Sequence, residues 1–127
     1  MQQATNSHPP RSVTAAIQLI WLTLAANALM LALDYDDATS DAMVFNSILL
    51  VFSGFVVLRI AACRNWARIA YSILVALDVA LILAMGLEEA SEIEVLVTYL
   101  SVALEGWALL RLFGAEADQW FSSTSQN

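Results

Sequence analysis

Arg59 to Leu87 reads RIAACRNWARIAYSILVALDVALILAMGL: three arginines within ten residues, then 19 residues from Ile69 broken by one charge, Asp78. At 1.5 Å per residue such a run reaches across most of the roughly 30 Å hydrocarbon core of a bilayer. Arginines gathered at one end of an apolar run mark the side on which that loop remains during insertion. The stretch therefore predicts a retained basic loop followed by a membrane-crossing helix.

Working outward, Val13 to Leu33 is about 21 residues without a charge, and Ala42 to Leu58 is about 17. Ile93 to Leu110 is a fourth run, flawed by Glu94 at one end and Glu105 within. The expected helices cover about 13–33, 42–62, 66–87 and 93–113, with a polar leader over 1–12 and a tail over 114–127. Short connections make successive helices antiparallel neighbours, as in an up-down bundle. The outer links, Asp34 to Asp41 and Glu88 to Glu92, are acidic and carry no arginine. Arg11, Arg59, Arg64, Arg68 and Arg111 all fall on the opposite side, the side the positive-inside rule assigns to the cytoplasm. The fold class expected is all-α, a transmembrane four-helix up-down bundle with both termini inside.

Composition agrees. Of 127 residues, 60% are hydrophobic and 13% charged, against roughly 25% charged in soluble domains. Too little charge remains to coat a surface facing water, so lipid is the expected neighbour. A net charge of -7 argues against a nucleic-acid partner, which requires a basic footprint. One cysteine, Cys63, excludes an internal disulfide framework. The single histidine, His8, lies in the leader beside Pro9 and Pro10, so no helix offers an imidazole to haem. The first run is longer than the roughly 7–15 apolar residues of a signal peptide and continues into an acidic loop, which predicts a retained helix.

Trp66 and Trp107 are expected at the cytoplasmic interface, where amphipathic rings settle among headgroups. Trp120-Phe121 is expected to fold back along that interface as a brief amphipathic turn. Ser122 to Asn127 reads as disordered.

Intramembrane polar groups are costly, so they mark the candidate site. Asp78 falls near mid-depth of the third helix and Glu105 about 8–10 Å from the cytoplasmic end of the fourth. Glu94, Thr98, Ser101, Glu105 and Ala108 recur at steps of three and four and share one helix face. A polar stripe on an otherwise apolar helix faces protein or water rather than lipid. The functional reading is a proton or cation path along it. The structural alternative pairs Glu105 with Arg59 and lets Asp78 hydrogen-bond to Asn27, Asn46, Ser53 or Tyr71. The intramembrane polar set is thus Asp78, Glu105, Arg59, Tyr71 and Asn27.

The third helix also carries Ser72, Ala76, Ala80 and Ala84, a small residue at every fourth position. Such ladders allow close helix approach in lipid, either within the chain or against a second copy or another membrane protein. Cys63 reads as an inert interfacial thiol, with palmitoylation the alternative. Asp34, Asp36, Asp37 and Asp41 lack the spacing of a calcium loop and read as a solvated acidic surface. The glycines form no phosphate-cradling loop, and no serine has a histidine base. No metal, cofactor or catalytic residue is assigned, and the chain is read as a non-enzyme.

Arg64-Asn65-Trp66-Ala67-Arg68, together with a tail running from Phe113 to Trp120-Phe121, resembles a group of uncharacterised small bacterial four-helix integral membrane proteins. In these an Asn-Trp-Ala-Arg element opens the third helix and a Trp-Phe pair closes the chain. The resemblance covers most of the length and implies the helix count and a bacterial inner membrane; it implies no activity. Small multidrug transporters also have four helices, but their embedded glutamate lies in the first, where this chain has only Gln18 and Asn27. Four-helix thiol oxidases require more cysteines. The expected role is a membrane protein acting through helix packing, as a homo-oligomer or accessory subunit, with a proton-linked transporter or channel as the alternative.

Overall fold

Leu-, Ala- and Val-rich runs without internal proline favour uninterrupted helices, and the chain forms them in sequence. The computed structural model describes residues 8–33, 36, 40–88 and 90–124. Its helices are α1 (Arg11–Leu33), α2 (Ser40–Ala61), α3 (Asn65–Met85), α4 (Glu92–Leu112) and α5 (Ala115–Thr124), and no strand occurs among the described residues. The first four have 21 to 23 residues and so run about 31–35 Å. Each is long and apolar enough to cross a membrane, which makes this a multi-pass membrane protein.

Local chemistry sets the helix ends. Ser91 caps α4 through a capping box: its hydroxyl accepts from the Glu94 amide, while the Glu94 carboxylate accepts from the Ser91 amide. α3 stops at Gly86, whose φ of 70° suits a residue without a Cβ. α2 ends at Ala61 and the chain turns at Cys63, where φ is 58°. The Cys63 amide donates to the Ile60 carbonyl at 2.9 Å and the Arg64 amide to the Arg59 carbonyl at 3.0 Å. That is the paired bonding of a Schellman turn, with cysteine where glycine usually stands.

α1 packs most extensively on α4 and then on α2, α2 packs on α3, and the α3–α4 seam is the lightest of the four. The helices therefore form a ring in which α2 and α4 are diagonal. The buried core gathers at the end that carries all five arginines. It includes Val13, Ala16 and Ile20 of α1, Val56, Val57 and Ile60 of α2, Ala67 and Val75 of α3, and Ala108 and Leu112 of α4. Beyond Thr23 and Ser101, toward the acidic loops, no described residue is buried. Leu83, Val51 and Leu110 are 74–80% exposed and form the outer surface that lipid covers.

α5 closes the arginine end. Ala117 and Phe121, four residues apart, share its buried face. The Ser12 hydroxyl donates to Glu116 at 3.3 Å, and the Cys63 thiol donates to the Trp120 carbonyl at 3.7 Å. Arg68, in the first turn of α3, ties the rest. Its guanidinium pairs with Asp118, donates to the Leu112 carbonyl at 3.3 Å and to Asn65 Oδ1 at 2.6 Å. It also lies over the rings of Phe113 (5.0 Å) and Phe121 (4.8 Å).

The helix boundaries expected from sequence shift by one or two residues, with α1 reaching back to Arg11. The tail is more ordered than expected. Instead of a brief turn followed by disorder, Ser122, Ser123 and Thr124 form the last turn of a ten-residue helix. Their hydroxyls bond back to Asp118, Gln119 and Trp120 carbonyls, which a polar-residue count does not reveal. The remaining residues expected to be disordered, 125–127, lie outside the described residues, as do Asp34 and Asp37 of the acidic loop. Trp66 and Trp107 are half exposed at the arginine end, with Arg111 over the Trp107 ring at 5.2 Å.

Candidate functional site

The bundle is filled at one end and hollow at the other. A cavity of about 590 Å³ lies between the four long helices. Along α3 its lining runs from Tyr71 to Leu87, a length of about 24 Å at the helical rise. It reaches the C-terminal turn of α1 at Met30 and Leu31, the start of α2 at Ala42, and the end of α3 at Met85 and Gly86. These are the ends joined by the acidic loops. At the other end it stops against the core beneath α5.

Most of the wall is Leu, Ile, Val, Met and Phe. The polar members are Thr23 and Asn27 of α1, Asn46 and Ser53 of α2, Tyr71 and Asp78 of α3, and Thr98, Ser101 and Glu105 of α4. An apolar pocket with a few converging polar groups is the common form of a small-molecule site. Thr23 is already satisfied, donating to the Ile20 carbonyl at 2.8 Å. Tyr71 is not: the residue is 3% exposed, and its buried hydroxyl has no hydrogen-bond partner in the protein. Glu105 Oε2 is likewise buried and unpartnered. A buried polar atom left unpaired costs about 1–3 kcal/mol, and these two belong to residues on the wall of one cavity.

The relative depths follow from Arg68, whose bond to the Leu112 carbonyl puts those two residues at one level. Glu105 is seven residues above Leu112 and Asp78 ten above Arg68, or about 10 Å and 15 Å at the helical rise. The two carboxyls therefore differ by about 5 Å in height on adjacent helices that line the same space.

Of the polar set read from the sequence, Asp78, Glu105, Tyr71 and Asn27 meet around this cavity. Arg59 does not. It is exposed at the arginine end, its guanidinium 4.8 Å above the Phe55 ring, and it forms no ion pair with Glu105. The physical reason is the ring order: α2 and α4 are diagonal, with α1 and α3 between them. Nor does Asp78 hydrogen-bond to Asn27, Asn46, Ser53 or Tyr71 among the described residues. The polar stripe of α4 divides: Thr98, Ser101 and Glu105 face the cavity, Ala108 enters the core, and Glu94 belongs to the cap. No basic side chain lines the cavity, so two carboxyls face it without a cation from the protein.

Ser72 is half-buried, and Ala76, Ala80 and Ala84 are exposed on the outer surface of α3. The Ser72 hydroxyl is occupied by the Ile69 carbonyl at 2.7 Å. Sequence reading missed the reach of Arg68, since its partners lie 44 to 53 positions away. No group of three or more His, Cys, Asp or Glu suited to a metal occurs among the described residues.

Comparison with protein families, with curated proteins and with solved structures gives no match for this chain.

Proposed function

We propose that this multi-pass membrane protein binds a small organic cation in its central cavity and exchanges it for protons, in the manner of a small carrier. The observation that carries the reading is a largely apolar cavity holding two carboxyls, an unpartnered Tyr71 hydroxyl and no basic side chain. An ammonium supplies the missing positive charge, and the apolar wall accepts its alkyl or aryl substituents. Protons and the ligand compete for the same carboxylates, so cation affinity falls as pH is lowered. With the arginine end in the cytoplasm by the positive-inside rule, the cavity faces the exterior. The Asn-Trp-Ala-Arg and Trp-Phe elements favour a bacterial inner membrane as its location.

The test is calorimetric titration of the protein in lipid nanodiscs with benzyltrimethylammonium. Glu105→Gln and Asp78→Asn are expected to weaken binding by tenfold or more, about 1.4 kcal/mol each. Proton release should appear as a dependence of the heat on buffer ionisation enthalpy. Unchanged affinity in both variants would remove the carboxyls from the site.

A second reading, assembly through α3, is supported by the outward exposure of Ala76, Ala80 and Ala84. Small residues on a lipid-facing stripe permit close approach by another helix. On that reading Ala80→Leu lowers the oligomer size in detergent and in lipid, and an unchanged size in both would dismiss it.

A further inference from the structure

On the lipid-facing side of the α3–α4 seam lies a second, smaller hollow of about 120 Å³, lined by Val79, Ile82, Leu83, Thr98, Tyr99 and Val102. Ile82 and Thr98 line the central cavity as well, so one pair of side chains forms the partition between the two spaces. The seam is also the most lightly packed in the ring. α4 gives the central cavity only Thr98, Ser101 and Glu105; its first turns, Glu92 to Val97, form no part of the wall. The partition is therefore one layer of side chains at the level of Ile82 and Thr98, and its outer face is apolar and opens to the acyl region.

We infer that the α3–α4 seam is a lateral portal, and that the ligand is a single-chain cationic amphiphile drawn from the bilayer. This rests on the cation-binding reading of the central cavity and specifies the ligand's class. The ammonium head sits among Asp78, Glu105 and Tyr71, and the alkyl chain passes between Ile82 and Thr98 into the groove beside Val79 and Val102. Three features select that occupant. The inner site is acidic, which disfavours anionic and phosphate-bearing heads. The groove is apolar apart from the Tyr99 and Thr98 hydroxyls and admits a chain rather than a second polar group. The two spaces are contiguous, as an amphiphile with opposed ends requires.

The experiment uses the full chain in lipid nanodiscs and a dodecyltrimethylammonium probe with a diazirine at its chain end, followed by peptide mapping of the photolabel. Label is expected on the segments 79–83 and 98–102, reduced by at least half with excess benzyltrimethylammonium, which occupies the head site alone. Val102→Trp fills the groove without touching the cavity wall. It should weaken dodecyltrimethylammonium binding about tenfold and leave benzyltrimethylammonium unchanged. Label at Met30, Phe45 or Met85 would place the chain along the cavity toward the acidic loops and overturn the portal. So would an equal effect of Val102→Trp on both cations, or no effect on either. If benzyltrimethylammonium itself does not bind the wild-type protein, the cavity reading fails first and the portal falls with it.

Discussion

Replacing Arg68 with Met keeps a long apolar stem and removes the guanidinium that joins α3 to the α4–α5 corner. The loss can be worked from the contacts. The ion pair with Asp118 joins an Arg68 side chain 13% exposed to a carboxylate 55% exposed, so solvent screening holds it to about 0.5–1 kcal/mol. Stacking over Phe113 and Phe121 contributes about 0.5–1 kcal/mol at each ring. The charged donor to the Leu112 carbonyl, one of the end carbonyls that α4 cannot satisfy internally, adds about 1.5 kcal/mol. Because one side chain makes all these contacts they are not additive, and a total of about 2–4 kcal/mol is expected. Arg68→Lys should retain the ion pair and lose the planar stacking, about half the effect. The assay is unfolding in mixed micelles of SDS and dodecylmaltoside, followed by tryptophan fluorescence. It is paired with amide exchange of α5, where the loss of protection should concentrate. Arg64→Met is the control, since Arg64 is exposed and has no side-chain contact of this kind. If Arg68→Met and Arg64→Met unfold alike, or if α5 stays protected, the view of Arg68 as the tie that closes this end is wrong.

Three further perturbations probe other parts of the fold. Ile60→Ala, in the buried core, should cost about 2–5 kcal/mol, whereas Leu49→Ala on the cavity wall should cost less than about 1 kcal/mol; similar losses in the same micelle assay would contradict the two-ended packing. Ser91→Ala removes the cap hydroxyl of α4 and should cost about 1 kcal/mol, seen as faster exchange of the first-turn amides, with Ser91→Asp restoring protection. Cys63→Val places a β-branched residue at φ 58° and should destabilise by more than about 1 kcal/mol. Cys63→Gly exchanges backbone strain for a lost buried sulfur and should change stability less, so a reversed order in chemical denaturation would remove the left-handed turn as the constraint.

The sequence is most legible where one physical term dominates. Apolar runs of bilayer length define α1 to α4, and the arginines fix which helix ends lie together. α4 starts at Glu92, one residue before the run read from Ile93, because Ser91 and Glu94 form a capping box that hydropathy does not register. The intramembrane carboxyls are equally legible as costly groups that cannot face lipid. Their partners are not, because partner choice depends on the order of helices around the ring. Hydropathy carries no information on that order: Arg59 has the depth to reach Glu105 but sits on the diagonal helix. Arg68 is misread for a related reason. As a charge next to an apolar run it has a topological meaning, while its structural meaning requires Phe113, Asp118 and Phe121, which only the folded tail brings to it. α5 is under-read because its ten residues bury little apolar area alone, and its stability comes from docking.

The uneven packing of the bundle follows from how its residues are distributed. Helices in lipid gain little from excluding apolar side chains, since acyl chains solvate them equally well. Close packing must come from shape, small residues and satisfied polar groups. At the arginine end all three are present: Ala16, Ala67, Ala108 and Ala117 admit close approach, and Arg68 saturates the polar atoms of the corner. At the acidic end the inward positions are instead Asn27, Asn46, Asp78 and Thr98 among flexible Met and Leu side chains. The described groups there do not pair with one another across the gap. Filling this half with leucine and alanine would be the simpler way to build a stable bundle. Retaining two carboxyls and an unpaired Tyr71 hydroxyl on the wall costs stability that the packed half must supply. A fold stapled at one end and open-cored at the other keeps its helices in register while leaving the cavity, and the light α3–α4 seam beside it, free to adjust around a ligand.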